Sequence, residues 1–193
     1  MNSKLLRFAL FVIVALVQLA VAGGAIYTSE LALRTGEAYR FRIQPVDPVD
    51  AFRGRYVAIR FASERAPAAN DLDVRSGETV YVPLEVDADG YAALGQAVVD
   101  RPRGESYLRL RAGVVTPDDD GNRWVWVALP FRRYYMDEDN APEAERAVRA
   151  GRRRGQREAS ISVRVRNGVG VIEELYIDDV PIHQWLVENA QDR

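Results

Sequence analysis

Residues Phe8 to Ile26 read FALFVIVALVQLAVAGGAI, 19 consecutive positions without a charge, with Gln18 the only strongly polar side chain among them. Wound as an α-helix at about 1.5 Å per residue, the run is about 28 Å long, close to the ~30 Å hydrocarbon core of a bilayer. Apolar residues cover every face, so there is no polar stripe of the kind a helix on a soluble core turns to water. Tyr27 falls at the far interface, Lys4 and Arg7 precede the run, and Glu30 follows it. The positive-inside rule then puts the N-terminus in the cytoplasm and everything after residue 28 outside, in a single-pass protein of the inner (cytoplasmic) membrane. A cleaved signal peptide competes with this reading. Ala20-Val21-Ala22 matches the A-x-A pattern, and Phe8–Leu19 would be the apolar core of the signal. Both readings export the remainder; the unbroken continuation to Ile26 favours a retained anchor.

The chain is therefore expected to divide into a cytoplasmic tip and anchor (1–28), a linker or short helix (29–38) and an exported domain (39–193). About 165 residues follow the anchor, enough for one domain with a sizeable core. Net charge is −2, and since residues 1–28 carry Lys4 and Arg7 and no acid, the exported part is near −4. A domain of that charge has no global attraction for nucleic acid. The chain has no cysteine, one histidine (His183) and one lysine (Lys4). Disulfides, thiolate nucleophiles and thiolate metal sites are excluded, as is a multi-histidine metal site within one chain.

Beyond residue 38 the pattern is that of strands. Tyr39–Ile43 and Tyr107–Arg111 alternate apolar and charged residues. Tyr56–Phe61, Thr79–Val86, Tyr91–Val99, Trp124–Leu129, Ser160–Arg166 and Gly170–Ile177 read as further strands. Asp87-Ala88-Asp89-Gly90 and Asp118–Asn122 are turn signals, and Asn167-Gly168 is a strong hairpin signal. The fold class this predicts is mainly β: a single β-barrel or sandwich-like exported domain with one short helix, preceded by an N-terminal transmembrane helix. The short helix starts at Asn140, with Glu143 in a capping-box position and Arg149, Arg152 and Arg153 near its end. Arg152–Arg154 could form a patch for anionic lipid, but the mixed charge around it reads as a solvated helix end.

Residues 45–61, PVDPVDAFRGRYVAIRF, resemble the signature element of the bacterial GDYXXLXY family of membrane-anchored proteins. Pro45, Asp47, Pro48, Asp50, Arg53, Gly54 and Tyr56 match the pattern. Arg55 stands in place of the family's Asp, Ile59 in place of its Leu and Phe61 in place of its final Tyr. Phe131–Tyr135 and Val171–Pro181 resemble later family segments. The resemblance implies an architecture and a location; it carries no biochemical activity.

Read physically, the element is a structural corner, or else a ligand or partner site. Pro45 and Pro48 fix φ, Asp47 and Asp50 can accept backbone N–H groups, Arg53 can pair with either, and Gly54 can take a positive φ before the strand that Tyr56 opens. Within that strand Val57, Ile59 and Phe61 should face the core.

No catalytic set stands out. A serine–lysine protease needs a lysine on the exported side, and Lys4 lies on the other. None of Ser29, Ser63, Ser76, Ser106, Ser160 and Ser162 sits in a G-x-S-x-G elbow for a triad with His183. Pairs among Asp137, Glu138, Asp139, Glu173, Glu174, Asp178 and Asp179 could serve glycoside hydrolysis, but no spacing singles one out. The Glu85–Gln96 stretch begins like an EF-hand loop and ends in Gln where Glu is needed. The expectation is a non-enzymatic interaction or assembly module without metal or cofactor. Its partner would be an integral membrane or envelope protein. The alternative is an envelope hydrolase using a carboxylate pair.

Overall fold

The structure is a computed structural model and describes residues 3–45, 56–61, 63–69, 71–104, 106–137, 140, 143–144 and 158–190. It opens with one helix, α1 (Ser3–Thr35). The helix does not stop at the end of the apolar run: residues 29–35 continue it without a break, so of the linker or short helix expected there the helical form is the one adopted. Leu31, Ala32 and Leu33 are good helix formers that turn toward the domain, and Arg34 pairs with Glu30 one turn back at 2.8 Å. Gly36 ends the helix, its N–H bonding the Ala32 carbonyl at 2.8 Å. A side chain there would place its Cβ 2.4 Å from that carbonyl oxygen and 2.9 Å from the Val165 carbonyl oxygen, so the joint requires glycine.

Among the described residues eleven strands follow: β1 (Glu37–Pro45), β2 (Tyr56–Phe61), β3 (Arg65–Pro67), β4 (Thr79–Val86), β5 (Ala92–Leu94), β6 (Tyr107–Pro117), β7 (Arg123–Val127), β8 (Arg133–Tyr135), β9 (Ala159–Arg166), β10 (Val169–Ile177) and β11 (Val180–Pro181). A short helix, α2 (Ile182–Ala190), comes last. The strands pair antiparallel in two sheets. One has the order β11-β10-β9-β1-β2-β8 and the other β3-β7-β6-β4-β5. The mainly-β class read from the sequence is what the chain adopts, as curled sheets around one core.

Period-two alternation builds that core. Tyr39, Phe41 and Ile43 of β1 point inward with Val57, Ile59 and Phe61 of β2, the face expected from the sequence. Val80, Val82, Leu108, Leu110, Val125 and Val127 meet them from the second sheet in the same buried cluster. Phe41, Phe61 and Phe131 form an aromatic triad with ring centroids 5.4–5.7 Å apart. Asn167 (φ 50°) and Gly168 (φ 85°) make the two-residue β9–β10 turn that the Asn-Gly pair predicted.

Three expectations need correction or restriction. Tyr91–Val99 is not one strand: only Ala92–Leu94 pairs regularly with β4, and Ala97 and Val98 then bridge to Ala68 and Tyr81. Pro83 stands opposite the break and has no N–H to offer, so the ladder is reduced there to the bond from the Gly95 N–H to the Pro83 carbonyl, 2.9 Å. A helical turn does begin at Asn140, whose carbonyl accepts the N–H groups of Glu143 and Ala144; Arg149 and Arg152–Arg154 lie outside the described residues. Finally, α2 was not anticipated. It buries Ile182 and Leu186 on one face.

Candidate functional site

The signature element enters the structure at its two ends. Pro45 closes β1 and Tyr56 opens β2. Asp47, Pro48, Asp50, Arg53 and Gly54 lie outside the described residues. What Tyr56 meets is the second family-like segment. β8 pairs with β2 in the register Tyr56↔Tyr135, Val57↔Tyr134, Ala58↔Arg133. Two segments nearly 80 residues apart in sequence are thus neighbouring strands. On the outward face the Tyr56 and Tyr135 rings lie 5.9 Å apart, and the Arg133 guanidinium sits 5.0 Å from the centre of the Tyr56 ring. The Arg133 guanidinium is held more firmly protonated than usual, first by the Tyr135 hydroxyl and then by the neighbouring phenols.

Tyr134 points to the other side. Its hydroxyl donates to Glu174 Oε1 of β10 at 2.8 Å, and Glu174 also accepts the Leu175 N–H at 2.9 Å and meets His183 Nδ1 of α2 at 3.1 Å. Burial, and then the hydrogen bond to Glu174, push the Tyr134 phenol well above its ordinary pKa. The link joins β8, at one end of the six-stranded sheet, to β10, next to its other end. It clasps a sheet that would otherwise stay open.

A β-bulge lies at this point in β10, between Ile172 and Glu174. It lets consecutive carboxylates serve different neighbours. Glu173 reaches back to β9, accepting from Ser162 Oγ at 3.0 Å and from Arg164 at 2.9 and 3.0 Å. The hydrogen bond from Arg164 is the main cause that holds the Glu173 carboxyl below the ordinary carboxylate range. Arg164 also donates to the Gly36 carbonyl at 3.2 Å, and Arg166 bonds the Thr35 hydroxyl. Glu173 therefore supports the joint at which α1 meets the domain.

Beside that joint lies an open groove of about 540 Å³, bounded by Ser29 of α1, the Pro130–Arg133 segment, Tyr135 and the Gly170–Ile172 stretch of β10. A second cavity, about 340 Å³, opens between the sheets under Phe41, Phe61, Leu94 and Trp124, with Arg42 and Asp87 at its rim. Arg42 is bonded to Asp87, Asp89 and Glu158 at 2.7–2.9 Å and is occupied by them.

Chemically, Glu173 and Glu174 are each engaged by cationic or hydroxyl partners. Among the described residues no group of three or more His, Asp and Glu side chains is placed to hold a metal ion. The two acidic turns bond their own backbone. Asp87 Oδ1 accepts the N–H groups of Asp89 and Tyr91, and Asp118 Oδ1 accepts those of Asp120 and Asn122. Of the residues gathered here, sequence reading singled out Tyr56, His183 and the two glutamates. It missed Arg133 and Tyr134 as site residues, although the adjacent Arg-Arg-Tyr-Tyr of Arg132–Tyr135 was visible.

An apolar helix leading into a curled, mainly-β domain, with its signature strand paired to a second motif strand, defines the class of protein. The GDYXXLXY protein family matches residues 18–175, most of the chain, and the chain belongs to that family. No curated protein and no solved structure matched the chain.

Proposed function

We propose that α1 anchors the protein in the inner membrane with its N-terminus in the cytoplasm. The β domain is then an extracytoplasmic interaction or assembly module, without enzymatic activity, that engages an integral membrane or envelope protein. The observation that carries this reading is how α1 stands. Phe8, Phe11, Leu16, Leu19 and Ile26 are 60–70% exposed, and no residue of its most apolar 18-residue window is buried, while Ala32 two turns further on is 1% exposed. So large an apolar surface left to water would aggregate; a bilayer covers it. The rigid domain at its end, with carboxylates committed to structural bonds, fits presentation of a surface better than turnover of a substrate.

The test is purification of tagged full-length protein from its native membranes in mild detergent. The expected result is stoichiometric recovery of a specific membrane or envelope protein. Recovery alone, together with turnover of peptide or glycan that Glu173→Gln or Glu174→Gln abolishes, would establish the hydrolase instead.

A further inference from the structure

We infer that the groove beside the exit of α1 takes the phosphate of an anionic phospholipid headgroup from the leaflet that α1 leaves; this rests on the reading of α1 as a retained anchor. The first argument is height. Ser29 lines the groove and lies three residues past Ile26, the last residue of the apolar run. Three residues of helix rise about 4.5 Å, and the headgroup layer outside the hydrocarbon core is roughly 5–7 Å thick. With α1 crossing the bilayer, the groove opens at the level of the phosphates.

Charge supplies the second argument. Several other arginines of the six-stranded sheet meet acids: Arg42 meets Asp87, Asp89 and Glu158, Arg40 meets Asp179, and Arg164 meets Glu173. Arg133 faces the Tyr56 ring and the Tyr135 hydroxyl, and among the described residues no carboxylate is bonded to it. Arg132 gives one guanidinium nitrogen to Glu64 at 2.9 Å and its Nε to the Leu129 carbonyl, and its side chain is 55% exposed. Arg132 and Arg133 both line the groove, and guanidinium binds phosphate through paired N–H donors.

The third argument is the aromatic surround. Tyr135 is 67% exposed at the groove and Tyr27 is 67% exposed on α1. Tyrosines with an apolar ring and a polar tip are what membrane interfaces collect. The lipid phosphate would sit between Arg132 and Arg133, with its glycerol end against Val171 and Ile172 and its acyl chains running down along α1.

The experiment uses full-length protein reconstituted in bilayer nanodiscs of phosphatidylcholine with phosphatidylglycerol, extracted into mild detergent and weighed intact by native mass spectrometry. Wild type should retain phosphatidylglycerol in clear excess over its share of the bilayer. Arg133→Gln should lower that excess about fivefold and the double change with Arg132→Gln further, the range expected for charges near a lipid surface. Arg133→Lys should keep part of it, and Arg65→Gln, on the other sheet, should leave it intact. Unchanged circular dichroism of each variant separates lost binding from lost fold, and absence of the excess in wild type overturns the inference without any variant. Displacement of the lipid by millimolar glycerol 3-phosphate also overturns it, because the site would then be one for a soluble phosphate. Failure of the anchor reading looks different: the protein would be recovered from cells as a soluble form beginning at Gly23.

Discussion

The two parts of α1 obey opposite rules. From Leu5 to Tyr27 the helix is exposed on all sides and its apolar residues meet no part of the domain; from Ser29 to Thr35 it is packed, capped and bonded to β9. The first part is specified by hydrophobicity alone, so many apolar sequences would serve. The second is specified by fit, since Ala32 is enclosed and Gly36 admits no Cβ. The difference teaches that the domain is held at a set orientation relative to α1, which a flexible linker would not provide.

The sharpest way to break this contrast is at the joint. Gly36→Val forces Cβ against two backbone carbonyls that cannot move independently, and should destabilise the domain of the full-length protein by about 3 kcal/mol, measured by denaturant unfolding in detergent. An unchanged midpoint would mean that α1 is not docked as described. Next comes the clasp beneath the docked turns. Tyr134→Phe removes a partly buried donor to a carboxylate and should cost about 1–2 kcal/mol. The same change should loosen β8 first in hydrogen exchange.

Acid should act on the joint in a definite direction. The folded Glu173 carboxyl lies below the ordinary 4.5, so the folded protein binds fewer protons than the unfolded chain there. Its contribution is complete above about pH 4.5 and is lost as the pH falls through the folded value. Glu173→Gln should flatten the acid limb of the stability curve; an identical limb in the variant would show that Glu173 does not support the joint. At the bottom of the scale, Leu16→Ala in the exposed part should change domain stability by less than about 0.5 kcal/mol.

Much of this fold was legible in the chain. Strands such as Thr79–Val86 and Tyr56–Phe61 are long enough for alternation to declare both their extent and their buried face. Asn167-Gly168 and the two Asp-led turns carry their own backbone chemistry. The strands of two or three residues, β3, β5, β8 and β11, are too short to show a period, and they exist because a neighbour offers a ladder. α2 gives only a weak pattern over nine residues. The site was harder to read. Tyr134 and Glu174 lie 40 residues apart and meet only because the sheet curls, and no local signal announces a pairing set by topology. The Pro45–Tyr56 element was recognised as a motif, but its inner residues Asp47, Pro48, Asp50, Arg53 and Gly54 are not among those described.

The central claim is that α1 remains attached and spans the membrane. It is tested most directly by extracting native membranes with alkaline carbonate and sequencing the N-terminus of the protein recovered. The protein should stay in the pellet with its N-terminus ahead of Phe8. A protein released to the supernatant and beginning at Gly23 would contradict the account.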